Sequence, residues 1–491
     1  MCFPCKEEFI ELSRQGNIIP VYREMLTDFD TPISAFSKIS NGGFSYLLES
    51  VERGEHLGRY SFLGSDQSLV IESRKNKMTI KKGDSVDSYT AEKDPVEEIK
   101  SIMKAFKFVP VKGLPRFCGG LVGYMGYDMV RFFENVPDDN PEELELPDMQ
   151  FVLTDTILIF DHVDRKIKVV SNAMIDDDPA SAYEEACHKI DIIMDKLKRP
   201  PVVPEVKITG SASLKEESNF TLEEFCDIVE KARGHINRGD IIQVVLSQRL
   251  KRKTGADAFT IYRALRSINP SPYMYYLKFG ECRIVGSSPE ILVRCEDGVV
   301  EVRPIAGTRS RGKDEEEDAS KERELLSDPK ERAEHIMLVD LGRNDIGRVC
   351  DYSSVEPREM MRVEKYSHVM HIVSDVVGTL SSDKDIYDLI RATFPAGTVT
   401  GAPKVKAMEL IDKFENTRRG PYAGSVGYIS FSGNMDMCIT IRTIVMLGDT
   451  AYIQAGAGIV LDSEPVYEYK ETLKKARAMV KAIEFAENGL Q

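Results

Sequence analysis

Apolar and polar residues alternate in short runs through the first two hundred positions. Ser68 to Ser73 and Phe151 to Phe160 follow a period of two, which predicts half-buried strands, and turn-rich stretches such as Asn41-Gly42-Gly43 separate them. The pattern changes at Thr221, where Glu224 three residues on completes a capping box and Phe225, Ile228, Ala232 and Ile236 keep the spacing of one helix face. That helix is predicted to end near Gly239. Apolar and β-branched runs predict strands at 241–250, 283–286, 291–303, 425–431, 438–446 and 451–454, and helical spacing predicts helices at 320–342, 403–413 and 465–487. The strands fall in neighbouring pairs joined by glycine-containing turns, as in CRIVGSSPEILVRC and VGYISFSGNMDMCITIRTIV, rather than alternating with helices. The expectation is an α+β chain of antiparallel sheets with helices packed outside. No repeat with a period of roughly 20 to 50 residues is visible.

Lys198 to Asn219, KRPPVVPEVKITGSASLKEESN, concentrates Pro, Gly, Ser and charge without a sustained period, the composition of a connection. It divides the chain into residues 1–205, a linker at 206–219 and residues 220–491. With 491 residues, 42% of them hydrophobic, the chain has ordinary globular usage, which excludes disordered and collagen-like classes. Lys and Arg number 65 against 80 Asp and Glu, a net charge of -15 that repels phosphate backbones and anionic headgroups. Neither nucleic acid nor a membrane is expected as a partner. No run approaches about 18 apolar residues, and MCFPCKEEFIELSRQG lacks the apolar core of a secretory signal, so a cytoplasmic location is expected. Nine cysteines, an odd number lying mostly beside apolar residues, read as reduced thiols; Cys2 and Cys5 form one C-x-x-C with no second pair to complete a zinc site.

Carboxylates carry the first chemical signal. Glu331 and Glu334 lie three apart on one predicted helix and Glu468 and Glu471 three apart on another, so each pair shares a face. Four hard oxygen donors without Cys or His suit Mg²⁺, although such spacing is also common on solvated helices and Glu471 with Lys475 makes an i,i+4 ion pair. Glu334 opens the apolar segment EHIMLVDLGRND, where a buried acid needs a partner. Glycine-rich turns are read at Ile305-Ala306-Gly307-Thr308, Ala396-Gly397-Thr398 and Gly456-Ala457-Gly458, where backbone N–H groups can meet small anions or simply close a tight turn. GAPKVK lacks the ending of a phosphate loop. His371 lies in apolar VMHIVSDVVG, as either a core residue or a proton carrier. Arg442 falls inside the predicted strand CITIRTIV, where a guanidinium faces either an internal carboxylate or a bound anion.

Together PIAGTRSRG, EHIMLVDLGRND, FPAGTVTGAPK, GPYAGSVGY, IRT and QAGAGIV resemble, in order and spacing from about 220 to 487, the chorismate-utilising enzymes. The resemblance implies two antiparallel sheets in a sandwich wrapped by helices, with a Mg²⁺-dependent site for chorismate, a dianion. It implies that Glu334 and Glu471 bind Mg²⁺ while Glu331 and Glu468 support it through water. By the same resemblance, Gly456, Ala457, Gly458 and Lys475 serve the ring carboxylate, Gly307 and Thr308 contact substrate, and Arg442 with Tyr422 clamps the enolpyruvyl carboxylate. Glu290 in GSSPEIL matches the family's general acid, and His371 its elimination histidine.

Branches of the family differ in nucleophile. Aminodeoxychorismate synthases commonly carry Lys where this chain has Ala306, and the water-adding isochorismate and salicylate synthases carry Lys at the position of Gln243, an amide that cannot act as a base at neutral pH. What remains is addition of ammonia followed by loss of pyruvate, giving anthranilate. YLLESVERGEHLGRYSFLG resembles the LLES element at which the anthranilate-forming branch binds L-tryptophan as feedback inhibitor, which implies a pocket built from Glu49, Ser50, Pro272, Tyr273 and Met274. Pro-Ser-Pro in NPSPYMYYL also reads as a rigid turn. The chain contains no Trp, which is consistent with an enzyme translated when tryptophan is scarce. No Cys sits in a G-x-C-x-G turn, so a separate glutamine amidotransferase subunit is expected to supply ammonia, in a heterotetramer of two large and two small subunits. The alternatives are an aminodeoxychorismate-forming relative and a non-catalytic tryptophan sensor. The intact Glu290, His371, Glu334 and Glu471 speak against the latter.

Overall fold

Period-two burial organises the molecule into two antiparallel sheets, each of twelve strands among the described residues. The structure is a computed structural model that describes residues 2–40, 42–50, 58–65, 68–202, 216–365 and 369–491. Asn41 of the predicted turn, residues 51–57 of the LLES run and residues 203–215 of the predicted linker lie outside the described residues.

Both sheets run through early and late parts of the chain. In the first, Phe44–Glu49 pairs with Tyr273–Phe279, which leads through Cys282–Ser288, Thr443–Leu447 and Thr450–Ile459 to Gln243–Lys253. In the second, Gly120–Met125 pairs with Ser425–Ser430, which leads through Met435–Ile439 and Ile291–Glu296 to Val299–Val302 and Val369–Thr379. Alternation then sorts the side chains. Tyr275 and Leu277 point between the sheets, meeting Val122, Tyr124, Val426 and Tyr428, while Met274 and Tyr276 point outward under the helices Ala258–Ile268 and Pro465–Glu487. The outer face of the second sheet is covered by Ile386–Thr393 and Pro329–Gly347, while Lys404–Phe414 packs on Gln243–Lys253 of the first.

The capping box forms as read: Glu224 N–H donates to Thr221 Oγ1 at 3.2 Å and Thr221 N–H to Glu224 Oε2 at 2.8 Å, opening the helix Leu222–Asn237. Four predicted elements are corrected. The helix read at 320–342 is two helices, Glu315–Ser327 and Pro329–Gly347, because Asp328 caps the second and Pro329 has no N–H with which to continue the first. The strand at 291–303 is a hairpin, and Phe151 to Phe160 divides between Met149–Thr154 in one sheet and Thr156–Asp161 in the other. The strand at 438–446 breaks between Ile439 and Thr443.

One buried ion pair ties these layers together. Arg419 and Glu415 are 1% and 2% exposed and lie 2.5 Å apart. The guanidinium donates to the carbonyls of Val399 and Val245 at 2.7 Å each, Glu415 accepts from the amide and hydroxyl of Ser247 at 2.8 Å each, and the rings of Tyr127 and Tyr422 face the cation at 4.8 and 5.5 Å. Removing one partner leaves an uncompensated buried charge. Glu415→Ala is therefore expected to destabilise the fold by about 3–5 kcal/mol in urea unfolding, and a loss under about 1 kcal/mol would show that Arg419 is satisfied without its carboxylate.

Candidate active site

The first sheet splits at one end. Thr450–Ile459 is paired with Gln243–Lys253 along its length but with Thr443–Leu447 only as far as Ile453, so from Gln454 onward one edge is open. The gap exists because Arg442, predicted inside a strand, instead stands in the connection before Thr443 with φ +49°, a left-handed conformation costly for a residue with a Cβ. A cavity of about 230 Å³ fills the wedge, lined by Glu290, Thr398, Tyr422, Arg442, Gly456 and Lys475 together with Glu334, Gln243 and Gly458.

The glycines at 456 and 458 do not form the predicted turn; the strand runs through both. They are there for close approach. A Cβ on Gly456 would stand 2.7 Å from the Tyr422 hydroxyl, and one on Gly458 would stand 2.5 Å from Gln243 Nε2. Ala457 points the other way, into the core beside Leu246. The open edge thus presents backbone groups to the cavity, and Lys475 Nζ donates to Gly456 O at 3.1 Å.

Two cations, Arg442 and Lys475, and two acids, Glu290 and Glu334, define the electrostatics. Burial pushes Glu290 up to about 7, against the opposing pull of Thr398, Arg442 and Lys475, so near neutral pH about half of it still carries a proton. Lys475 lines the cavity with half its side chain accessible; burial and the Arg442 charge push its ammonium below the usual lysine range, while Glu471, Glu468 and Glu334 pull it back. An anion entering here meets a guanidinium and an ammonium together.

The four predicted carboxylates come from the two predicted helical faces, on Pro329–Gly347 and Pro465–Glu487. Glu334 accepts a 3.4 Å bond from Gln243 Nε2, Glu471 is 3.9 Å from Lys475, and Glu331 is held by Arg309 at 2.9 Å. Burial first, and Glu471 among its neighbours, raise Glu468 above the usual carboxylate range. Among the described residues, no three His, Cys, Asp or Glu side chains are clustered to hold a metal ion. Mg²⁺ uses one or two protein carboxylates and completes its shell with water and anionic ligand. Glu334 and Glu471, both within the electrostatic reach of Lys475, fit that requirement.

His371 stands outside the cavity lining, on Val369–Thr379. The predicted turn around Gly307 is a strand, Ile305–Ser310, with a bulge: Ala306 faces Ile372 and Thr308 faces His371. At the bulge Gly307 has φ +66°, and its carbonyl lies 3.1 Å from His371 Nδ1, with Thr308 Oγ1 at 3.0 Å. A carbonyl can only accept, so that bond puts the proton of neutral His371 on Nδ1. Burial, helped by Arg442, pushes His371 below the usual histidine range and favours the neutral ring.

Two contributors escape the sequence reading. Thr398, in the turn Gly397–Val399, faces Glu290, but a Thr in a glycine-rich turn carries no distinguishing pattern. His335 is fully buried and its Nε2 lies 2.6 Å from Ser374 Oγ, fastening the helix of Glu331 and Glu334 to the strand of His371; its place immediately after Glu334 was the available signal.

A second cavity, about 490 Å³, opens between the sheets. Pairing of Glu49 with Met274 brings the two predicted inhibitor-binding segments together, and Glu49, Ser50, Pro272, Tyr273 and Met274 all line it. The Ser50 hydroxyl is buried there without a hydrogen-bond partner among the described residues, while the Glu49 carboxylate accepts from Tyr262 at 2.5 Å and Arg266 at 3.1 Å. Tyr273, Arg294 and Asp436 form a polar wall, with Tyr273 Oη donating to Asp436 at 2.9 Å and Arg294 donating to it at 3.0 Å.

Residues 45–481 match the family of chorismate binding enzymes. The chain is 52% identical over 485 residues to anthranilate synthase component 1 of Aquifex aeolicus (strain VF5), covering 98% of each, and 49% identical over 491 residues to that of Acetivibrio thermocellus, covering 99% of each. Among solved structures, anthranilate synthase component I from Streptococcus pneumoniae TIGR4 superposes with a TM-score of 0.76 at 35% identity, over 93% of this chain and 98% of that one. The menaquinone-specific isochorismate synthase MenF from Escherichia coli shares the fold, with a TM-score of 0.70 at 18% identity over 97% and 98% of the two chains. No helix among the described residues is long and apolar enough to cross a membrane.

The raised Glu290 predicts a pH-dependent stability. Between its unfolded value of 4.5 and about 7 the native state holds a proton that the unfolded state releases, so this contribution is present at low pH and is lost as pH rises through 7. Glu290→Gln, neutral throughout, is expected to match the parent near pH 4 and exceed its stability by about 3 kcal/mol at pH 8 in paired unfolding curves. An equal difference at both pH values would contradict the assignment.

Proposed function

The chain belongs to the chorismate-binding enzymes, and within that family we propose that it converts chorismate and ammonia to anthranilate, pyruvate and water. The observation that carries this reading is the single cavity in which a protonated Glu290 faces Arg442 and Lys475. Chorismate brings two carboxylates and a ring hydroxyl to that cavity. Lys475 and the open edge at Gly456 to Gly458 receive the ring carboxylate, and Arg442 with the Tyr422 hydroxyl receives the enolpyruvyl carboxylate. Glu290 gives its proton to the departing ring hydroxyl as ammonia bonds to the ring, and water leaves. Loss of a ring proton then breaks the bond to the enolpyruvyl oxygen; pyruvate departs and the ring becomes aromatic. His371, whose ring the Gly307 carbonyl orients, is the acceptor assigned to that proton. Glu334 and Glu471 would hold Mg²⁺, supported by Glu331 and Glu468, and the ion supplies neutralisation of the ring carboxylate.

Ala306 and Gln243 place no amine where the sister branches use one, which supports ammonia as nucleophile. The relatives named component 1 support a separate second component, which we read as a glutaminase that supplies that ammonia; a complex of two large and two small subunits in the cytoplasm is part of the same proposal. The larger cavity, with its unpartnered Ser50 hydroxyl and aromatic walls, supports L-tryptophan as a feedback inhibitor.

With chorismate, Mg²⁺ and ammonium near pH 8, anthranilate fluorescence is expected to grow and to be suppressed by tryptophan. Appearance of aminodeoxychorismate or isochorismate instead would refute the product assignment. Chelation of Mg²⁺ is expected to abolish turnover, and Glu334→Gln to lower it at least about tenfold and weaken Mg²⁺ binding in calorimetry; unchanged values would remove Glu334 from the metal site. Ser50→Phe fills the larger cavity and is expected to leave activity intact while raising the tryptophan needed for inhibition at least about tenfold, a 1.4 kcal/mol effect.

A further inference from the structure

We propose that Tyr275 and Thr443 are positioning residues that hold Arg442 in its left-handed conformation, and that this short hydrogen-bonded relay is how the larger cavity acts on the smaller one. The proposal rests on the reading that the two cavities bind tryptophan and chorismate.

Three adjacent strands meet at one level: Tyr275 is paired with Gly286, and Gly286 with Thr443. A Cβ on Gly286 would stand 2.0 Å from Tyr275 Cζ, so the glycine lets the phenol lie flat across the middle strand. Its hydroxyl thereby reaches Thr443 Oγ1 at 2.6 Å, in a fully buried contact. Thr443 Oγ1 is in turn 2.8 Å from the carbonyl of Ile441. That carbonyl can only accept, so the one Thr443 proton goes to it and Tyr275 is the donor to Thr443. The order is fixed: Tyr275 to Thr443 to Ile441.

The relay ends at a strained residue. Arg442 has φ +49°, and its own carbonyl accepts from Ser287 N–H at 3.1 Å. The peptides on both sides of Arg442 are therefore held, one by Thr443 and one by Ser287, and the left-handed turn persists because its surroundings over-determine it. Tyr275 lines the larger cavity, while Ile441 and Arg442 line the smaller. A ligand that displaces the Tyr275 ring breaks the first bond, frees Thr443 from its fixed orientation and lets Arg442 relax from the position that meets an anion. Effector and substrate then weaken each other's binding, as linkage requires.

The test uses the full chain with ammonium as nitrogen donor. Tyr275→Phe deletes only the hydroxyl, and is expected to raise KM for chorismate about three- to tenfold with kcat within about twofold. In calorimetry, its tryptophan affinity without chorismate is expected to tighten by about the factor that KM rises, since the bond the ligand must break is already gone, while the factor by which saturating chorismate weakens tryptophan falls at least about threefold. Thr443→Val is expected to reproduce the KM effect and Thr443→Ser, which keeps the hydroxyl, to restore the parental KM; this pair decides the relay if Tyr275→Phe fails to fold. Parental KM in both Tyr275→Phe and Thr443→Val, or mutual weakening undiminished in Tyr275→Phe, overturns the proposal. If the parent does not bind tryptophan at all, the reading of the larger cavity fails, and the KM comparison with its serine rescue still decides whether the relay positions Arg442.

Discussion

Everything around the smaller cavity leans on the buried pair of Arg419 and Glu415. A guanidinium shut away from water must find acceptors for its donors, and here it finds them on the strand 243–253, in the turn at Val399 and on Glu415 just past the helix Lys404–Phe414. Two of those partners belong to the site itself. Val245 and Val399 line the cavity, Thr398 precedes Val399, and the Tyr422 ring lies over the cation. Ion pairs of this kind add little net stability compared with apolar residues of the same shape. Their directional bonds are what an apolar core lacks, and they fix where a loop, a strand and an aromatic ring stand relative to one another.

Local chemistry made some elements readable and hid others. Pro465 at the first helical position and a long amphipathic run set the last helix at 465–487, where it is found. Thr221 and Glu224 announced their helix for the same reason, since both partners of the cap are close in sequence. Asp328-Pro329 carried an equally good signal, an N-cap followed by its proline, but helical spacing on both sides concealed it. CITIRTIV reads as one strand because its residues are β-branched; the break at Arg442 is imposed by partners far away in the chain, Ser287 and Thr443 with Tyr275 behind it. Gly456 and Gly458 were legible as special and misread as a turn, because what demands them is the Tyr422 hydroxyl and the Gln243 amide.

The same division holds for the site. Motif resemblance brought Glu290, Glu334, Tyr422, Arg442 and Lys475 into one list, and the fold brings them to one cavity. Nothing in composition or periodicity connects Glu290 with Arg442, because they are far apart in the chain and meet only where the strand that starts at Ile291 pairs antiparallel with the strand that ends at Ile439. His371 and Gly307 are neighbours only through a bulge in strand pairing. Thr398 and His335 act through single atoms, and single atoms leave no period to read.

The pairing seams have a consequence for how the chain comes into being. The strand at 120–125 completes its pairing only with 425–430, and 44–49 only with 273–279. At about 5–20 residues per second, synthesis takes roughly 15–60 s to deliver the later partner of the first of these seams. During that interval the nascent chain carries two open sheet edges with apolar faces, which are templates for pairing with another chain. The first two hundred residues cannot finish folding as they emerge, so the long-range contacts that create the cavity between the sheets also make this protein a client for whatever shields unfinished chains on the ribosome.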